Sequence, residues 1–301
     1  MISENDVISI YKALLNRKPE SKEAIRSHMV KYKDIESMVR GIKNSNEFKY
    51  KYMLENMPEK VVVYIHIPKT AGTYLRTAWL LNNYNKYFWS DRHLDYPTIK
   101  DLQQDYIEAS SYEMIGGHQV IDTFLKMKTI QPRIFLNVLR EPISRIISFY
   151  NHVKNVDTDH VFNKSVAENT LFELLEQKGA FYRTVINEQL RYLIASEELL
   201  EKFSDRDFLI IGRQDNTKGF IEAVNEILGL NKGIAEGSSN AGGEGYKKEI
   251  ELQNDFPEAL EILKEMIQEE SELYNSIKNV TVMGKKEYRD FVQKYQRKKS
   301  I

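Results

Sequence analysis

With 301 residues, the chain is long enough for one large α/β domain plus a small appendage, and 43 basic against 44 acidic residues exclude the global positive field of a nucleic-acid binder. Cysteine is absent, and with it disulfides, thiolate catalysis and cysteine-ligated metals. No apolar run approaches the roughly 20 residues needed to span a bilayer and no signal-peptide core opens the chain, so the expectation is a cytoplasmic enzyme without a transmembrane segment.

Residues 1–57 read as a small all-α N-terminal domain. Ser3 and Asp6 suit a capping box, and Val7, Ile10, Tyr11, Leu14 and Leu15 follow the spacing of an amphipathic helix that Arg17-Lys18-Pro19 ends. A second helix is expected from about Lys22, and Ile35, Met38, Val39 and Ile42 mark a third. The run Tyr11 to Pro19 together with Asn44 to Phe48 weakly resembles a small helical domain attached to bacterial surface-glycan enzymes. Such a domain would either dock an acceptor or partner, or simply pack.

The most informative stretch is VVVYIHIPKTAGTYLRTAWLL, residues 61–81. Val61 to Ile67 predict a buried parallel strand, broken at Pro68, with a helix resuming from Tyr74. A strand, a tight small-residue turn and a helix start make an anion cradle, because the first helical amides lack intrahelical acceptors. Lys69 adds a positive charge, Thr70 and Thr73 add hydroxyls, and Gly72 is expected to let the backbone approach a ligand. The lysine precedes the only glycine, so this is not a Walker A sequence. An ordinary βα turn with a solvated lysine is the plainer alternative.

Between residues 82 and 111 the aromatic density is high (Tyr84, Tyr87, Phe88, Trp89, Tyr96), fit either for stacking on sugar faces or for packing. A strand is expected near 112–116, followed by Gly116-Gly117-His118. Residues 133–153 repeat the pattern of the cradle: an apolar strand from Ile134 to Leu139, then Arg140, then a helix opened by Pro142. Ile143, Ile146, Ile147 and Tyr150 form its inward stripe, while Ser144 and Ser148 share another face above Arg140. A guanidinium and a hydroxyl at the mouth of a parallel sheet suit a second phosphate.

These paired motifs resemble those of sulfotransferases that use 3′-phosphoadenosine 5′-phosphosulfate (PAPS). Pro68-Lys69-Thr70-Ala71-Gly72-Thr73 looks like their 5′-phosphosulfate loop, and Leu139-Arg140-Glu141-Pro142 with Arg145 and Ser148 looks like their 3′-phosphate motif. The likeness is to the carbohydrate type, in particular the heparan-sulfate 2-O type in a bacterial form, and runs over roughly residues 60–245. The chain departs from it at Tyr74, where a serine is usual. The resemblance implies PAPS as donor, 3′-phosphoadenosine 5′-phosphate (PAP) as product, and a glycan or other hydroxyl-bearing acceptor. It implies cofactor contacts from Lys69, Thr70, Ala71, Gly72, Thr73, Tyr74, Arg140 and Ser148, and catalysis by Lys69 and His118. His118 stands 22 residues before Arg140, with His93 as the rival base. His66 reads as structural, and His28, His152 and His160 carry no motif.

Further along, Phe208 to Gly212 predict another central strand, flanked by helices at about 181–195 and 216–229. The glycine-rich loop 237–246 corresponds in the resembling family to a segment that folds over the nucleotide. Ser239 and Asn240 are therefore candidate contacts, although the composition equally fits a flexible surface loop. The seven Lys and Arg residues between Lys285 and Lys299 suggest a solvated helix face, with an acidic glycan or membrane surface as the other option.

The expected fold is α/β: a P-loop-like parallel sheet flanked by helices over residues 58–301, behind the helical domain 1–57. The expected reaction is in-line sulfuryl transfer. The transferred group carries less charge than a phosphoryl, so no metal is expected. A P-loop kinase or NTPase and a non-catalytic nucleotide-fold scaffold are the competing readings.

Overall fold

Val61–Ile65 (β1) is apolar at every position, and all five residues are buried. A strand without a polar face needs cover on both sides, which a parallel sheet with crossover helices provides. The computed structural model describes residues 2–90, 98–157, 159–234 and 257–298, so His93, Ser239 and Asn240 lie outside the described residues. Its sheet contains β1, Tyr87–Ser90 (β2), Met114–Gly117 (β3), Arg133–Leu139 (β4), Phe208–Arg213 (β5) and Val280–Met283 (β6).

The strand order is β2-β3-β1-β4-β5-β6, parallel throughout except for β6, which pairs antiparallel with β5. Alternate residues of each strand feed two cores. Val61, Val63, Ile65, Phe135, Leu139, Leu209 and Ile211 face one way, and Val62, Tyr64, Ile134, Leu136, Val138 and Ile210 the other. From β1 the chain crosses β3 to reach β2; from β4 it leaves towards β5 on the opposite side. Neighbouring strands whose connections diverge open a crevice at their carboxyl ends, where open α/β sheets bind ligands.

The expected strands are present with shifted ends. β1 stops two residues early, at Ile65, where the buried Asn137 side-chain amide donates to the Ile65 carbonyl at 2.7 Å. β2 was not anticipated from the aromatic stretch, where packing accounts for Tyr84, Phe88 and Trp89, all buried; Tyr87 is exposed and Tyr96 lies outside the described residues. β6, short and only partly buried, was also missed. The helix expected at 181–195 is two helices, Ala180–Val185 and Glu188–Leu193. The break falls at Asn187, in the left-handed region at φ 52°, and it turns Glu188 and Gln189 into the interior.

In the N-terminal part, Glu4–Leu15 (α1) carries the Ser3–Asp6 capping box, followed by Lys22–Lys31 (α2), Ile35–Lys43 (α3) and an unanticipated Asn46–Glu55 (α4). Val7, Ile10, Tyr11, Leu15, Ile25, Met38 and Ile42 form a core of their own, separate from the two on the sheet. At the other end, the Lys285–Lys298 helix buries Tyr288, Val292 and Tyr295 against the sheet, and the Tyr288 hydroxyl donates to the Leu193 carbonyl at 2.8 Å.

The amino end of β4 is pinned by a buried ion pair. Asp207 accepts from the Arg133 backbone N–H at 2.8 Å, the Arg133 guanidinium at 2.6 Å and the Ser204 N–H at 2.8 Å. Removing one partner leaves a buried charge uncompensated, so Asp207→Ala is expected to lower unfolding free energy by about 3–5 kcal/mol. Urea titration checks this; a loss below about 1 kcal/mol would show that the pair is solvated in solution.

Candidate active site

Between β1 and the next helix the chain makes a tight turn. Lys69 and Ala71 both take left-handed backbone at φ 68° and 66°, a conformation that costs a non-glycine residue on the order of 1–2 kcal/mol. Two such residues within three, at the carboxyl end of a central strand, mark a loop held against its own preference. Thr70 is buried and its hydroxyl donates to the Ile67 carbonyl at 3.0 Å, so this side chain ties the turn together and does not point outward as a ligand donor.

The helix begins at Gly72 with Ala71 as N-cap and no side-chain cap bond. The first bond back along the helix is from Leu75 N–H to the Ala71 carbonyl at 3.0 Å, so the amides of Gly72, Thr73 and Tyr74 are directed out of the helix start. The helix passes through a π stretch, Arg76–Leu80, before closing at Leu81–Asn83. Thr73 is exposed, and Tyr74 and Ala71 are half-buried.

Gly72 is required for a reason other than the expected one. A methyl group there would lie 1.8 Å from Cδ2 and 2.0 Å from Nε2 of His66, so the absent side chain makes room for the His66 ring. His66 follows the end of β1, is buried, and its Nδ1 has no hydrogen-bond partner. Burial, then the neighbouring His118, Arg76 and Lys69, holds its pKa well below the usual histidine range.

His118 follows β3 and lies against His66, with ring centroids 3.9 Å apart. Gly117 at φ 151° brings the chain there, and a Cβ on it would meet the Ser90 carbonyl at 2.6 Å. His118 Nδ1 is 3.2 Å from the His66 carbonyl. A carbonyl only accepts, so Nδ1 carries the hydrogen, and in the neutral ring Nε2 keeps its lone pair. That is the tautomer a general base needs.

Across the crevice, Arg140 follows β4 and its Nη1 donates to the Lys69 carbonyl at 3.2 Å, which brings the two expected phosphate-binding cations together. Both are half-buried. Burial lowers the Lys69 pKa, and Arg140 lowers it further; burial likewise lowers that of Arg140, with Glu141 opposing and Arg145 adding to the effect. An anion in the crevice would relieve the penalty on both. The helix Pro142–Asn155 is capped by its own Glu141, whose carboxylate accepts from Ile143 N–H at 3.0 Å and Ser144 N–H at 2.6 Å. Of the two helix starts, only the one at Gly72 is left without a side-chain cap.

Ser148 is buried on that helix, one turn from Ser144. One turn further stands His152, whose pKa is lowered by burial and then by Lys69. The sequence signal for this histidine is its four-residue spacing from Ser148. Arg145 belongs to the resembling motif but does not reach the crevice: it is fully buried, bonded to Glu188 and the Val185 carbonyl, with Nε 3.5 Å from Glu270.

Residues 56–198 match the model of the sulfotransferase family. The matched span contains the cradle, His118, Arg140 and Ser148, and it supports sulfuryl transfer as the general activity. No curated protein matches the chain. Among the described residues no group of three or more His, Asp or Glu could hold a metal ion, and no helix is long and apolar enough to cross a membrane.

His66 generates a pH prediction. Its folded pKa lies below that of an unfolded histidine, about 6.5. Above that pH neither state binds the proton and stability is complete; below it the unfolded chain binds the proton first, so stability falls. Thermal melts between about pH 7.5 and about pH 5.5 should show this decline, and His66→Gln should make it shallower. Parallel curves for the two proteins would mean that His66 binds its proton equally well in the folded and unfolded states.

Proposed function

We propose that the chain transfers a sulfuryl group from PAPS to a hydroxyl of a carbohydrate acceptor. The observation that carries this reading is the convergence of Lys69 and Arg140, two half-buried cations from adjacent strand ends, beside an uncapped helix start. One nucleotide with phosphates at both ribose ends matches that arrangement, and the family match supports the reaction class. In this reading residues 1–57 and 58–301 are separate domains.

The amides of residues 72–74, with Lys69, hold the 5′-phosphate; Arg140 and Ser148 hold the 3′-phosphate. PAPS supplies an activated sulfuryl group when bound. Lys69 offers positive charge to the oxygen that becomes the leaving phosphate's, a contribution that grows with the charge developing there. His118 Nε2 accepts the acceptor hydroxyl's proton, which a sugar hydroxyl needs because it is a poor nucleophile at neutral pH. The His66 carbonyl keeps the His118 proton on Nδ1, and the neutral His66 ring gives that imidazole a wall with no competing charge.

The expected binding signature is tight, metal-independent PAP binding and much weaker AMP binding. Calorimetry with PAP, AMP and ATP with Mg²⁺ tests it. Arg140→Ala should remove on the order of 1.5–3 kcal/mol of the PAP preference, the range of a charge-assisted bond. Equal affinity for PAP and AMP, or preference for ATP with Mg²⁺, would count against the donor and favour a phosphoryl-transfer reading.

For the base, His118→Ala is expected to cut turnover by roughly 10²–10⁴-fold with PAP affinity nearly unchanged. The rate of the unmutated enzyme should fall on acidification as the imidazole is protonated. His93→Ala is the decisive control: if it abolishes transfer while His118→Ala remains active, the base is His93.

A further inference from the structure

The β4–β5 ladder ends at the pair Leu139 and Arg213, so Arg140 stands one residue beyond it. Both of its backbone groups are nevertheless held, and by one side chain. Gln189 Oε1 accepts from the Arg140 N–H at 2.8 Å, and Gln189 Nε2 donates to the Arg140 carbonyl at 2.9 Å. The carboxamide thus imitates a peptide unit of a neighbouring strand and extends the sheet by one residue. Gln189 is itself fully buried, and the same Nε2 donates to Glu270 Oε1 at 2.6 Å. The carbonyl and the carboxylate can only accept, which fixes the amide's orientation.

Glu270 is also fully buried and faces Arg145, which pairs with Glu188. Replacing buried charges by apolar residues of similar volume is often neutral or stabilising, so such a set is weak evidence of a purely stabilising role. What the polar set adds is a single geometry at the strand end. Arg140 is held at its N–H and its carbonyl by Gln189, and at Nη1 by the Lys69 carbonyl. Only the remaining guanidinium N–H groups are left to meet a ligand, from a fixed starting point.

We infer that Gln189, held by Glu270, is a positioning residue that aims Arg140 and so sets the preference for a nucleotide bearing a 3′-phosphate. The inference rests on the PAPS reading above. A guanidinium binds phosphate through a fixed fork of donors, and its selectivity falls when its backbone drifts.

The test compares PAP and AMP affinities by calorimetry in the unmutated chain, Gln189→Met and Glu270→Gln, with thermal melts confirming that each is folded. Met matches the length of Gln but offers Arg140 neither donor nor acceptor of comparable strength. The PAP-over-AMP ratio is expected to fall about tenfold in Gln189→Met, equivalent to about 1.4 kcal/mol, mostly through loss of PAP affinity. Should Gln189→Met fail to fold, Glu270→Gln decides, with an expected fall of at least about threefold, equivalent to about 0.65 kcal/mol. A ratio that stays unchanged in a folded variant, including one in which both affinities weaken in parallel, overturns the positioning role and leaves the PAPS reading standing. A parent chain without PAP preference overturns both.

Discussion

Two cations from neighbouring strand ends converge on one turn, and Arg140 adds to the burial that lowers the Lys69 pKa. Lys69 leaves β1, Arg140 leaves β4, and a hydrogen bond from the guanidinium to the Lys69 carbonyl joins the two loops. Each is half-buried and each has its pKa lowered, first by burial. The arrangement becomes favourable when an anion enters the crevice where the connections of β1 and β4 diverge, and the uncapped amides at Gly72 offer that anion further donors.

Keeping the pair in place explains several otherwise separate features. Asn137 ends β1 by taking the Ile65 carbonyl, Thr70 closes the turn on the Ile67 carbonyl, and Lys69 and Ala71 accept left-handed backbone between them. Gln189 carries the sheet one residue past β4, and the helix break at Asn187 is what turns Gln189 inward. Glu141 occupies the start of its own helix, so of the two helix starts at this crevice the one at Gly72 stays open to an anion. The histidine pair closes the third side. His66 fills the space that Gly72 leaves, and its carbonyl sets the tautomer of His118.

Much of this was legible in the sequence because the signals are local. A continuous apolar run such as Val61–Ile65 dictates a buried strand, and the lysine, hydroxyls and glycine that follow dictate a cradle. The pairing of Arg140 with Lys69 could be inferred only because a second strand-and-helix motif repeats the first. What escaped the sequence depends on contacts between distant residues. Gly72 read as a ligand approach, since the partner that needs its space, His66, is known only once the turn is folded. Thr70 reads as a hydroxyl donor and Arg145 as part of the resembling motif, yet a carbonyl three residues back claims the first, and Glu188 and Glu270, 43 and 125 positions further along, claim the second. β2 was hidden because its aromatic residues suit sugar stacking and strand packing equally well, and neither periodicity nor turn chemistry separates the two.

The central claim is that this crevice moves a sulfuryl group between PAPS and a hydroxyl. Incubation with PAPS carrying radiolabelled sulfur, across a panel of hydroxyl-bearing glycans, measures it most directly. The account predicts label covalently attached to at least one acceptor, PAP released in equal amount, and loss of both products when Lys69 and Arg140 are replaced together by alanine. Label transfer that survives the double replacement, or phosphate transfer from ATP with Mg²⁺ in place of sulfuryl transfer, would contradict it.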